Sequence, residues 1–282
     1  MSERHSAILR RHGLHLSRAL GQNFLVDDRS ADRLALAAGV GPGDHVIEVG
    51  VGLGTLTRAL VRRGARVVGI EIDSGLVRAL TEEALLPDGV ELIHADAIEL
   101  DWSALLDRLP KPTRLVANLP YSAATPLMRR MLDFRDRLED WSVMLQRELA
   151  LRITSRRGSP DYGSLAVLHQ LTVDVDKRLD LAPGQFFPEP KVHSSFVRVW
   201  PRPTPLLAPG ELEWVERVIR AAFAQRRKTI FNCLKAGGFA EGPDWSPIEQ
   251  ALTACAIEPR TRAEALDPEQ LLALARALAP KP

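Results

Sequence analysis

The amino-acid sequence predicts an α/β protein: a parallel, doubly wound sheet followed by a small helical domain. Two observations carry that prediction. Short apolar runs alternate with segments of helical periodicity at least four times before residue 122, the rhythm of repeated βαβ units. The first of these runs, "HVIEVG", passes straight into the glycine loop "VGLG", and sheets of this kind bind ligands beyond the carboxyl ends of their strands. A chain of 282 residues with 45% hydrophobic and 26% charged residues can bury the core such a sheet needs, which excludes a disordered chain.

The elements follow in order. "HVIEVG" (45–50) is a strand, and "TLTRALVRRG" after the glycine loop is a helix stopped by Gly64. "ARVVGIEID" (65–73), "VELIHAD" (90–96) and "TRLVANLPY" are the next three strands, with helices between them, the second around "WSALLDRL". The helix after the fourth strand is expected to begin near Thr125-Pro126. "SLAVLHQLTVDVDKRLDL" and "SSFVRVWP" are β-rich runs that pair antiparallel at the sheet edge. "PRPTPLLAPG" (201–210) is a proline-stiffened linker, and the rest is alanine- and leucine-rich helix. The domains are therefore residues 1–204 and 205–282.

No signal-peptide core and no charge-free stretch of membrane-spanning length is present, so the expected location is the cytoplasm, with no membrane partner. Cys233 and Cys255 have no CxxC or Cys/His spacing and are expected to be structural thiols, with no metal. The formal net charge of +1 hides a local excess: residues 1–20 carry +3 through Arg4, Arg10, Arg11 and Arg18 against Glu3. Arg129-Arg130, Arg156-Arg157 and, most densely, Arg226-Arg227-Lys228 add further positive clusters, which suits a polyanionic partner gripped at several places.

Four strand ends carry candidate functional residues. Gly50, Gly52 and Gly54 permit a tight turn and let a ligand lie against bare backbone. A dinucleotide site competes here, because Glu71 lies about twenty residues on at the end of the second strand, yet G-x-G-x-G departs from G-x-G-x-x-G. A carboxylate at Glu71 accepts the ribose hydroxyls of any adenosine-containing cofactor. Asp96, at the third strand end, either accepts from an adenine amino group or caps a helix.

The fourth strand ends in "NLPY" (118–121). An exocyclic amine on an aromatic base is a poor nucleophile, since its lone pair is delocalised into the ring. It attacks an electrophilic methyl only when acceptors hold its two N–H groups and turn the lone pair out of plane. Asn118 offers a side-chain carbonyl, and Pro120 restrains the backbone so that the carbonyl of Leu119 or Pro120 serves as the second acceptor. Tyr121 supplies a face on which the base stacks. No strong general base is needed, and catalysis rests on positioning and electrostatics.

Together "GQNFLVD" (21–27), "EVGVGLGTLT" (48–57), "EID" (71–73), "ADA" (95–97), "NLPY", "FFPEPKVHSSFVRV" (186–199) and "AFAQRRKTIFN" (222–232) resemble the ribosomal RNA adenine N6,N6-dimethyltransferases over almost the whole chain. The resemblance implies a Rossmann-like class I methyltransferase sheet, S-adenosylmethionine as cofactor, and a cofactor site lined by Asn23, Leu25, Gly50, Glu71, Asp96 and Asn118. It implies that Phe186 covers the target base opposite Tyr121. The positive cluster Arg226, Arg227 and Lys228 is expected to dock the helical tail on RNA. "NLPY" with "QRRKT" resembles the small-subunit branch, whose substrate is 16S rRNA in the small ribosomal subunit, with two adjacent adenosines near the 3' end dimethylated during ribosome biogenesis by a monomeric enzyme. The competing readings are a large-subunit (23S) enzyme of antibiotic resistance, a DNA amino-methyltransferase, and a non-catalytic RNA-binding assembly factor.

Two departures stand out. Val51 occupies a position where the family usually has proline, which is expected to loosen the glycine loop. "LSRALGQNFL" keeps Arg18 alone of the basic-aromatic character common before that motif. His193 is expected to be structural or solvent-facing.

Overall fold

A computed structural model gives the fold and describes residues 3–14, 23–240 and 244–280. The strands are β1 (Phe24–Leu25), β2 (His45–Val49), β3 (Arg66–Glu71), β4 (Glu91–His94), β5 (Thr113–Ala117), β6 (Asp140–Gln146), β7 (Val173–Leu181), β8 (Phe186–Phe187) and β9 (Ser194–Pro201). The helices are α1 (Glu3–Arg11), α2 (Asp28–Ala37), α3 (Thr55–Arg62), α4 (Ser74–Glu82), α5 (Trp102–Arg108), α6 (Tyr121–Asp133), α7 (Arg147–Thr154), α8 (Ser164–Thr172), α9 (Glu211–Ala222), α10 (Ile230–Ala236), α11 (Ser246–Ala254) and α12 (Pro268–Ala277).

Seven strands form one sheet in the order β4-β3-β2-β5-β6-β9-β7. β2 pairs in parallel with both β3 and β5, so the strand order reverses at β2 and opens a crevice at the carboxyl ends. β9 runs antiparallel to β6, and β7 lies beside β9 at the sheet edge. β2 and β5 are buried along nearly their whole length because both of their faces are covered. Leu34, Leu56, Leu60, Val116 and Phe196 belong to one buried cluster that seals α2 and α3 to the sheet. Helix starts follow local chemistry: Asp27 accepts from Ser30 N at 2.7 Å to cap α2, and Asp73 accepts from Gly75 N at 2.9 Å to cap α4.

A buried ionic cluster sits at the amino ends of β5 and β6. Asp140, 1% exposed, receives Arg114 Nη1 at 2.9 Å and Arg198 Nε at 2.9 Å, while Arg114 Nη2 reaches Glu139 at 2.5 Å. Burial pushes the Asp140 carboxyl upward and the two guanidinium groups pull it back.

Three expectations are corrected. α6 begins at Tyr121 directly after Pro120, and Pro126 lies inside the helix rather than at its start. Burial of Ala124, Leu127, Met128 and Met131 holds that helix together across the missing N–H. Residues 164–172 are helix, not strand: "SLAVLHQLT" is buried almost all round, so no amphipathic period marks it, and only 173–181 is extended. Finally, a single cut at residue 204 does not divide the chain. One compact unit is Met1–Ala150 with Asp176–Pro201, and the other is Leu151–Val175 with Arg202–Pro282. In the second unit α8 packs on α9 and α12, Tyr162 donates to Leu266 O at 3.0 Å, and the Tyr162 ring meets Phe223 edge-on.

Candidate functional site

The carboxyl ends of β2, β3, β4 and β5 surround a cleft of about 910 Å³, part of it open solvent. Asn23, Leu25, Gly50, Glu71, Asp96 and Asn118 all line it, from five separate places in the chain. Gly50, Gly52 and Gly54 have φ of 79°, 60° and 73°, which side chains rarely adopt, so the loop's backbone conformation demands glycine. A Cβ on Gly52 would also stand 2.9 Å from the Phe24 ring, so the loop lies flush against β1.

Glu71 is buried, and its carboxylate is aimed by backbone: Gly52 N donates to Oε2 at 2.8 Å and Asp73 N to Oε1 at 3.0 Å. Burial raises its pKa above the usual carboxylate range, and those N–H groups counter the rise. Asp96 is exposed and accepts from Ile98 N at 2.8 Å, so it both shapes the turn after β4 and faces the cleft. Ile72, 45% exposed, and Ile98 add apolar walls that the sequence reading missed, since an isoleucine next to a strand end looks like core. Glu48 was missed as well: it is 0% exposed, and neither carboxyl oxygen has a hydrogen bond of ordinary geometry.

At the end of β5, Asn118 Nδ2 donates to Asn23 O at 3.0 Å, which fixes the amide and makes Oδ1 its acceptor. Leu119 and Pro120 line the cleft beside it. Pro120 O accepts from Ala123 N at 3.0 Å in the first turn of α6, so of the two proposed carbonyls that of Leu119 is the better placed to serve a ligand. Tyr121 is half-buried, and its hydroxyl lies 2.9 Å from Ser194 Oγ, an anchor that orients the ring. His193 is exposed.

Phe186 does not join this group. It is 3% exposed and packs in the core with Leu25, Leu34 and Phe196. The reason is register: β1 and β8 pair antiparallel with Leu25 opposite Phe186 and Phe24 opposite Phe187, and opposed residues share a face. Phe24 and Leu25 both line the cleft, but of the two aromatics opposite them Phe187 is 36% exposed and Phe186 is buried.

In the second unit, Arg226, Arg227 and Lys228 are exposed in the connection between α9 and α10, not on a helix. Thr229 caps α10 and ends that connection; "QRRK" contains good helix formers and no breaker, so the sequence did not mark the gap. Arg226 Nη2 donates to the carbonyls of Pro160 and Tyr162, which ties it to its own unit. Among the other positive clusters, Arg129 pairs with Asp133 and Arg157 with Asp267. Arg18 and the side chain of Arg4 lie outside the described residues. Cys233 and Cys255 are free thiols, and no group of metal-binding side chains occurs among the described residues.

A parallel sheet reversing at β2, with a glycine loop, a backbone-aimed glutamate and an Asn-Leu-Pro-Tyr turn at successive strand ends, is the architecture of a class I methyltransferase. Solved structures of that class match it: the dimethyladenosine transferase of Plasmodium falciparum has a TM-score of 0.73 at 24% identity, over 89% of this chain and 95% of that one. The 23S rRNA methyltransferase ErmE has a TM-score of 0.63 at 28% identity, over 91% and 99%. The chain belongs to the ribosomal RNA adenine dimethylase family, whose model matches residues 13–279. It is 43% identical to ribosomal RNA small subunit methyltransferase A of Rhodospirillum rubrum over 96% of this chain and 91% of that protein. It is 38% identical to the protein of the same name from Geobacter metallireducens, over 96% and 98%.

Proposed function

We propose that the protein transfers methyl groups from S-adenosylmethionine to the N6 amino groups of adenosines in small-subunit (16S) rRNA, dimethylating two adjacent adenosines near the 3' end during ribosome biogenesis in the cytoplasm. The similarity to small subunit methyltransferase A at 43% identity supports the choice of subunit over the 23S alternative. No helix among the described residues is long and apolar enough to cross a membrane, which is compatible with that location.

The observation that carries the reading is the Asn118 amide, locked by Asn23 O with its carbonyl oxygen left as acceptor at the edge of the cleft. The residues present fit the cofactor. Glu71 is pre-aimed to accept ribose hydroxyls, Ile72 and Ile98 give a flat ring apolar walls, Asp96 offers an acceptor, and Gly50 and Gly52 keep side chains out of the floor. The bound cofactor supplies an electrophilic methyl on a sulfonium.

The chain's own residues prepare the amine. Asn118 Oδ1 and the Leu119 carbonyl accept the two N6–H groups and turn the lone pair toward the methyl. Tyr121, anchored through Ser194, stacks on one face of the base, and Phe187 takes the other face in place of Phe186. The amine becomes cationic on transfer and loses its proton to water. Arg227 and Lys228 contact phosphates and position the substrate without reading sequence.

The test is transfer from methyl-labelled S-adenosylmethionine to unmethylated small subunits, with the label mapped. N6-methylated adenosine in 16S rRNA is expected, and Asn118→Ala should slow turnover about a hundredfold. Label in 23S rRNA alone, or none on either subunit despite cofactor binding, would overturn the reading.

A further inference from the structure

Gly69 lies in the middle of β3, a buried central strand where glycine weakens the strand and has no positive φ to justify it. One contact explains it. A Cβ at position 69 would stand 2.5 Å from Val51 Cγ2, while its next neighbours, Glu91 O and Leu92 Cδ1, are a comfortable 3.8 Å away. Val51 itself is 4% exposed and lines the cleft, so the position expected to loosen the glycine loop is instead packed onto the neighbouring strand. The residues around it are pinned to that same strand: Gly50 N donates to Ile70 O at 2.9 Å, and Gly52 N donates to Glu71 Oε2 at 2.8 Å.

We infer that Val51 and Gly69 form a peg and hole that sets the height of the glycine loop and thereby aims the Glu71 carboxylate at the cofactor ribose. This rests on reading the cleft as the S-adenosylmethionine site. Val51 and Gly69 are positioning residues: they act through Gly52, whose N–H moves with the loop. Filling the hole lifts the loop and takes the Gly52 N–H away from Oε2. Trimming the peg leaves the loop unseated. Doing both adds one methyl 2.5 Å from the place of Val51 Cγ2, one of the two methyls that Val51→Ala removes.

The experiment measures S-adenosylhomocysteine binding by calorimetry, with thermal melts as the folding control. Gly69→Ala should weaken binding about tenfold and Val51→Ala about threefold, and the double variant should bind more tightly than Gly69→Ala, within about threefold of the wild type. A purely structural role would lower melting temperatures and leave the affinity of folded protein unchanged. If Gly69→Ala fails to fold, Val51→Ala and the double variant still decide the matter through the recovery. Wild-type affinity in the folded single variants, or a double variant no better than the worse single, overturns the peg and hole alone. Failure of the wild-type protein to bind S-adenosylhomocysteine or S-adenosylmethionine would overturn the cofactor reading beneath it.

Discussion

Glu48→Gln isolates one buried proton. The Glu48 carboxyl is 0% exposed on β2, facing Thr57 of α3, with the Glu71 and Arg58 charges nearby. Burial, with a smaller push from Glu71, raises it from 4.5 to about 8, against opposing contributions from Thr57 and Arg58. The folded protein therefore holds this proton where the unfolded chain has released it. Its stabilising contribution is complete below pH 4.5 and is lost as pH rises toward 8. Each pH unit in that window removes about 1.4 kcal/mol, so the wild type loses about 3 kcal/mol between pH 5 and 7.5 through this group. Glutamine has the same shape and no proton to lose. The stability of Glu48→Gln relative to the wild type should rise by about 3 kcal/mol across that interval, as urea midpoints at half-unit steps would measure. The other titrating groups are common to both proteins and largely cancel. Parallel stability curves from pH 5 to 8 would refute the assignment of a neutral, buried Glu48.

Asp140→Ala leaves Arg114 and Arg198 facing each other without their shared carboxylate, and should cost about 3–5 kcal/mol in urea unfolding. Phe187→Ala should lower kcat/KM for small subunits about tenfold with the melting temperature nearly unchanged, through lost stacking on the base. Phe186→Ala should instead cost about 3–5 kcal/mol of stability by opening the core, and the reverse pattern would return the stacking role to Phe186. Arg227→Glu with Lys228→Glu should weaken subunit binding and flatten its salt slope by roughly one to two while cofactor affinity and melting hold. Arg226→Glu should also lower the melting temperature, because its side chain holds the Pro160 and Tyr162 carbonyls.

Much of the cleft's lining was legible in the sequence because those parts announce themselves locally. Gly50, Gly52 and Gly54 stand where the backbone needs positive φ, Glu71 and Asp96 close apolar runs, and the Asn118–Tyr121 turn interrupts one. The alternation of strand and helix then brings those ends to one edge of a parallel sheet, so the position of each along the chain already implied convergence. Tertiary structure alone decided what depends on partners distant in sequence. The β1–β8 register turned Phe186 inward and Phe187 outward, a difference of one residue that reverses the face. Packing on α9 and α12 made helix of residues 164–172, whose apolar surface has no side left to mark a period. Desolvation beneath α3 keeps the Glu48 proton, and the nearness of Val51 explains Gly69, since burial and close approach belong to the folded arrangement and not to any window of sequence.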